Sequence, residues 1–383
     1  MKILALTSIR SEYDLMSQLY RLLDKDPEID FRLLVGGCHN SPSFGLTVHD
    51  IERDGFTILA QIESLIDGDS QSSRIKSAAV LLLSSVDIVK TFSPDLIIYA
   101  GDREEVMIGA LLGGYLGIPT LHFFGGDHAC DGHIDNPIRH AVSKLSTCHF
   151  VSTAEQEQRL IKIGEPKSRI FNVGSVALDK FKLVSENKNI LNIISGRNIQ
   201  KPGVLFIFHP VTEETEFADR IVSDSIEILI ESGFHVFAGL PNSDYGNLKI
   251  RNALQRLSKN DDITLYGNLP RNSFIQLFKS CQLIVGNSSA GILEAASIPI
   301  PCVNIGLRQK GRLCTDNVVF VGINRNDILN GIEIVTNDDF INQLKLITNP
   351  YGDGNASGKA FLLLKKIDFY SMLKKKEDPL YVR

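Results

Sequence analysis

Apolar residues recur along this chain in two ways, as short unbroken runs and as longer stretches in which they return every three or four positions. The first pattern fits strands buried on both faces and the second fits helices with one covered face, so their alternation predicts parallel βαβ units. KILALTS opens the chain as a strand and leads into a helix through YDLMSQLYRLLDKD. FRLLVGG, TFSPDLIIYAGD, IPTLHFFGG, STCHFVS and RIFNVGS read as further strands, with helical spacing in SSRIKSAAVLLLSSVDIVKTF and EEVMIGALLGGYLG. Residues 182–202, KLVSENKNILNIISGRNIQKP, are polar and read as a hinge. The alternation then restarts at GVLFIFHP and runs through FHVFAGLP, ITLYGNL, QLIVGNSS and PCVNIG, with helices between them. The expected fold is α/β, with two doubly wound domains facing across a cleft, over residues 1–185 and 200–362. The tail, residues 363–383, is expected to be an amphipathic helix packing on the body, its basic residues towards the C-terminus where the helix dipole favours them.

Composition narrows the partners. With 383 residues, 43% of them hydrophobic and 22% charged, the chain has ample apolar surface for two cores. A net charge of -5 argues against a nucleic-acid or membrane-surface binder, which would show a basic face. No stretch approaches the roughly 20 apolar residues needed to cross a bilayer. The run in MKILALTSIR is too short for a secretory signal and suits a first buried strand. Cys38, Cys130, Cys148, Cys281, Cys302 and Cys314 are scattered without a C-x-x-C pair, which excludes the usual zinc-ribbon and thioredoxin spacings and suggests buried thiols in a reducing cytoplasm.

In open parallel sheets ligands bind beyond the carboxyl ends of the strands, so the chemistry is sought there. In QLIVGNSSAGILEA a strand gives way to Gly286, Ser288, Ser289 and Gly291, a small hydroxyl-rich turn opening a helix, where unpaired N–H groups attract a phosphate. A serine cap with turn glycines reads equally well for the turn alone. Glu294, one turn on, suits a ribose diol. Arg308, Lys310 and Arg312 follow the next strand in NIGLRQKGR, and two anion-friendly loops in succession favour a nucleotide diphosphate. Neither G-x-x-x-x-G-K-[ST] nor a strand-linked G-x-G-x-x-G occurs. Asp102 in YAGDR, Arg10 after the first strand and His209 in FHPVTEE occupy strand ends as well. GGDHACDGHIDNPIRH, residues 125–140, concentrates three of the nine histidines beside three aspartates. It reads as acid/base residues, a polar loop or a metal site; its spacings are not those of a helical H-E-x-x-H zinc site.

Taken in order, SIRSEYDLM, GCHNSPSFGLTV, YAGDRE, IDNPIRHAVSKLS, FHPVTEE, GNSSAGILEA and NIGLRQKGR resemble the hydrolysing UDP-N-acetylglucosamine 2-epimerases of sialic- and legionaminic-acid biosynthesis, over essentially the whole chain to about residue 360. The resemblance implies Rossmann-like domains in a glycosyltransferase-B arrangement, a UDP-sugar substrate, no cofactor or metal, and a homodimer. It implies loss of the C2 proton as the bond to UDP breaks, a 2-acetamidoglucal intermediate, and hydration to the C2-inverted free sugar. UDP-N-acetylglucosamine is the first-choice substrate and UDP-2,4-diacetamido-2,4,6-trideoxyglucose the alternative. A glycosyltransferase and a non-catalytic sugar-nucleotide sensor are the rivals.

By the same resemblance Asp102 and Asp135 are acid/base groups, and His209 and Arg10 lie on the phosphate side, with Ser8 and Ile9 replacing a usual Gly and Thr. Ser288 and Ser289 bind the diphosphate, with Gly286, Gly291, Arg308 and Arg312 beside them, and Glu294 binds the ribose. His39, Phe124, His128 and His133 fall in substrate-side loops. Where the family reads H-x-E-G-G-E this chain has HFFGGD, so Phe124 replaces a glutamate, and a longer loop precedes Asp135. The second carboxylate then comes from Asp127 or Asp131, with His128 or His133 assisting, unless substrate or activity has changed. His140 reads as structural.

Overall fold

A computed structural model describes residues 1–68, 70–242 and 244–377. The chain divides into two compact units: residues 1–128, 134–179 and 351–383 form the first, and residues 129–133 and 180–350 the second.

In the first unit strands and helices alternate: β1 (Lys2–Thr7), α1 (Arg10–Lys25), β2 (Asp30–Val35), α2 (Val48–Arg53), β3 (Ile58–Gln61), α3 (Gln71–Phe92), β4 (Leu96–Ala100), α4 (Glu104–Leu116), β5 (Thr120–Phe123), α5 (Asp135–Leu145), β6 (Cys148–Val151), α6 (Ala154–Lys162) and β7 (Ile170–Asn172). All neighbours pair parallel in the order β3-β2-β1-β4-β5-β6-β7. α1 shows why the pattern was readable. Tyr13, Met16, Leu19, Tyr20 and Leu23 return at helical spacing and are buried against the sheet, each contributing about 1.5–3 kcal/mol. β3 lacks such a run and is a half-buried edge strand.

The second unit repeats the plan. After α7 (Asp179–Leu183) and α8 (Ile190–Ser195) come β8 (Gly203–Ile207), α9 (Ala218–Glu231), β9 (His235–Gly239), α10 (Asn247–Leu257), β10 (Ile263–Tyr266), α11 (Arg271–Ser280), β11 (Leu283–Gly286), α12 (Ala290–Leu293), β12 (Cys302–Ile305), β13 (Val318–Val321), α13 (Arg325–Val335) and α14 (Asp338–Gln343). The order is β10-β9-β8-β11-β12-β13, again all parallel. The strand order reverses at β1/β4 in one sheet and at β8/β11 in the other, the points where such sheets leave a crevice for a ligand.

Two expectations about the chain's course are corrected. Residues 182–202 are no bare hinge: Phe181 and Ile190 are buried in the second core, where Phe181 meets Phe278 edge to face at 5.8 Å. Nor does the last part of the 200–362 span stay with the second domain. α15 (Ala356–Leu364) returns to the first unit, its opening N–H groups at Ala356 and Ser357 donating to the Asp179 carboxylate at 2.9 and 2.6 Å. The tail helix expected over 363–383 is replaced by turns beyond Leu364. Asp368 draws the Ser371 N–H at 3.1 Å, a local bond that competes with helical pairing. Phe369 still buries itself in the first core, and Lys375 reaches the buried Glu165 carboxylate at 2.6 Å. The last six positions of the expected helix lie outside the described residues.

Candidate active site

α5 organises the chemistry of the first unit. Asp135 opens it, a favourable place for an anion, and Arg139, one turn on, pairs with the Asp102 carboxylate from the loop after β4. Arg139 is only 3% exposed, so the pair lies in a poorly solvated setting that strengthens it. A turn further, the Ser143 hydroxyl contacts His122 Nδ1 at 3.2 Å, and the other nitrogen of that ring meets the Gly101 carbonyl at 2.9 Å. His122 is thus a buried strut, and burial holds its basicity down, at about 3. His140, on the neighbouring face, stacks on His128 with ring centroids 5.4 Å apart and nitrogens at 3.2 Å. One helix therefore fixes both Asp102 and the loop carrying Asp127. The Asp127 side chain is buried and accepts the His128 N–H at 2.9 Å. Asp131 accepts the His133 N–H at 3.0 Å, and both belong to the short segment that groups with the second unit.

His39, expected on the substrate side, is turned inward from the short turn that follows β2. It is fully buried, its ring nitrogens taken by Thr7 at 3.0 Å and Thr47 at 2.7 Å, and burial, with Arg10 adding to it, holds its basicity down at about 3. Arg10 begins α1 and is drawn to Asp14 and Asp50, 3.3 and 3.7 Å away. Phe124 packs on the first core with its backbone left-handed, φ +63°, a costly conformation for a bulky side chain.

Glu12 carries no local mark in the sequence. Its carboxyl, bonded by the Tyr20 hydroxyl at 3.3 Å, lies behind the end of β1. Burial, reinforced by Glu105, pushes it up to about 8 despite hydrogen bonding from Thr7. A folded value above the ordinary 4.5 means that the native state holds a proton the unfolded chain has released, so stability falls as pH rises from about 4.5 to about 8. Glu12→Gln removes that slope. Denaturant melts are expected to show the variant gaining on the parent by about 1.4 kcal/mol per pH unit across that window, and parallel curves would refute the assignment.

In the second unit the loops after β8, β11 and β12 converge on Asn287, another residue that sequence reasoning passed over. Its side chain accepts the His209 N–H at 2.7 Å and donates to the His209 carbonyl at 2.8 Å. Its own carbonyl receives Arg308 and Gln309, both at 3.1 Å, and Gln309 in turn accepts from Arg312 at 2.8 Å. His209, Ser288, Arg308 and Arg312 are thereby gathered around one buried amide. Gly286 and Gly291 are packing necessities: a Cβ at the first would collide with the Ile207 carbonyl, and one at the second with the Cys302 sulfur. The helix that follows is a single turn and gives way to 3₁₀ geometry at Ala295, so little macrodipole stands behind the turn. Anion attraction there rests on N–H groups, hydroxyls and the arginines. Ser288 Oγ accepts the Ala290 N–H at 3.3 Å. Glu294 is buried and paired with Arg271, whose guanidinium lies 5.3 Å from the Phe181 ring centre.

Residues 21–365 match the family model described as UDP-N-acetylglucosamine 2-epimerase. A UDP-N,N'-diacetylbacillosamine 2-epimerase (hydrolyzing) of Legionella pneumophila is 33% identical over 97% of either chain. The polysialic acid biosynthesis protein P7 of Escherichia coli is 31% identical, over 95% of this chain and 93% of its own. Among solved structures, the UDP-GlcNAc 2-epimerase of Neisseria meningitidis bound to UDP-GlcNAc superposes with a TM-score of 0.82, covering 96% of this chain and all of its own, at 19% identity. That likeness shows the fold, two Rossmann-like domains.

Proposed function

Because the chain belongs to the UDP-N-acetylglucosamine 2-epimerase family, we propose that it is a hydrolysing sugar-nucleotide 2-epimerase, releasing UDP and a free sugar inverted at C2. The observation that supports this most is the Asp102–Arg139 pair. A guanidinium at contact favours the ionised carboxylate, the form able to accept a proton. In the first half-reaction Asp102 takes the proton from C2 while the bond from C1 to the UDP oxygen breaks, leaving a 2-acetamidoglucal. In the second, water adds its hydroxyl at C1 and a proton returns to the opposite face of C2, with Asp135 and Asp127 managing these transfers. Of the two acids open for the second carboxylate, Asp127 is favoured, since it is buried and its loop is held through His128 and His140. Arg308, Arg312, His209 and the Ser288–Ser289 turn receive the departing diphosphate, whose charge grows as the bond breaks.

The substrate class is a UDP-linked 2-acetamido sugar. The name borne by the Legionella relative supports UDP-2,4-diacetamido-2,4,6-trideoxyglucose ahead of UDP-N-acetylglucosamine. Incubating the protein with each in deuterated water, with NMR detection of UDP and sugar, is expected to give free sugar carrying deuterium at C2. Release of UDP only when a sugar acceptor is added would instead favour a glycosyltransferase, and tight binding without turnover a sensor.

A further inference from the structure

Three helices of the first unit begin close to one arginine. Arg74 stands in the first turn of α3; its Nε meets Glu104 Oε2 at 2.8 Å, and its Nη2 meets Asp135 Oδ1 at 3.2 Å. Glu104 and Asp135 are the opening residues of α4 and α5, where the dipole welcomes acids. The same dipole disfavours a cation at the start of α3, so helix stability does not explain Arg74 there. All three side chains are about three-quarters shielded, which makes the contacts stronger than ordinary surface pairs. A planar guanidinium fork holds two carboxylates at a set spacing and angle, which the rotatable ammonium of a lysine fixes far less firmly.

We propose that Arg74 is the positioning residue of Asp135, and that Glu104 tempers it, as the outer end of an alternating series running Asp102, Arg139, Asp135, Arg74, Glu104. The inference rests on the hydrolytic reading above, in which Asp135 exchanges protons. Each arginine serves one candidate acid directly, and Asp135 and Arg139 are i, i+4 neighbours on one helix. Arg74 from α3 touches Asp135 and Glu104; Glu105 and Arg103 adjoin that pair, His133 precedes Asp135 by two residues, and Arg139, paired with Asp102, lies one turn on along α5 with His140 beside it. Arg74 keeps Asp135 ionised and aimed. Glu104 shares that positive charge and keeps the carboxylate basic enough to take a proton back.

The two variants should therefore move in opposite directions. Arg74→Gln is expected to lower kcat by about 10-fold to 100-fold and to raise the acid-side midpoint of the pH profile by about one unit, with UDP affinity unchanged. Glu104→Gln should lower that midpoint, and Arg74→Lys should restore the midpoint more fully than the rate. A structural role alone would reduce folded protein and leave the midpoints where they are. Carboxyl-carbon NMR titration of Asp135, assigned by its loss in Asp135→Asn, reads the same pairing without turnover. An unchanged Asp135 midpoint in Arg74→Gln overturns the proposal, as do equal shifts of one sign in both variants; if Arg74→Gln does not fold, an Asp135 midpoint unmoved in Glu104→Gln decides against it. An unmodified protein that hydrolyses neither sugar nucleotide overturns the hydrolytic reading instead, and the NMR arm still decides the pairing.

Discussion

Asp102→Asn is expected to lose about three orders of magnitude in kcat, within the range for removal of a general base, while UDP binds as before. The substitution keeps shape and lets a side-chain oxygen still accept from Arg139, but an amide cannot take the C2 proton. Arg139 loses its partner's charge in a site only 3% exposed, yet Asp135, one turn away on the same helix, still balances it, so the variant should fold. Stopped assays of UDP release against calorimetric titration with UDP separate the two effects. A parallel fall in UDP affinity would mean that Asp102 belongs to nucleotide binding and that the acid/base roles are wrongly divided.

Gly286→Ala is expected to be the most damaging single methyl group in the second unit. The backbone there has φ +134°, outside what side-chain-bearing residues adopt, and the added carbon runs into the carbonyl of Ile207 on the paired strand β8. Backbone strain and overpacking each cost about 1–3 kcal/mol, so a loss of about 4 kcal/mol is anticipated. Neither strand can retreat, because each pairs on its other side as well, β8 with β9 and β11 with β12. Thermal or denaturant unfolding, monitored with and without UDP, reads the cost. A variant as stable as its parent would show that β11 does not end against the Ile207 carbonyl.

The strands most easily read were those with unbroken apolar runs, such as Leu96–Ala100 and Leu283–Gly286, because burial on both faces writes itself into every position. Ile58–Gln61 and Val318–Val321 carry short apolar runs too, ILA and VVFV, and were passed over; both are four-residue edge strands whose faces are only partly covered. Asp102 and the Gly286–Gly291 turn are marked locally, by a strand end and by small residues, whereas Asp135, at the start of α5, was reached only through the family resemblance. The partners of these residues were not legible. Arg74, Arg139 and Arg271 sit in helices like any solvated arginine, and what distinguishes them is a carboxylate far away in sequence that only folding delivers. Asn287 was hidden by the serines beside it, since a buried amide clasping another loop has no spacing rule. His39 misled in the opposite direction: a histidine among polar loop residues looks like chemistry, and Thr7 and Thr47 turn it into core.

The path of the chain through its two units carries a consequence for biosynthesis. Ala356, Ala360, Leu364 and Phe369 complete the hydrophobic interior begun by Ile3 and Tyr13, yet they are translated after every residue of the intervening unit. The lobe started first at the ribosome is therefore the one finished last, and until residues 356–369 emerge its apolar seam stays open, a window in which nascent chains would depend on chaperones.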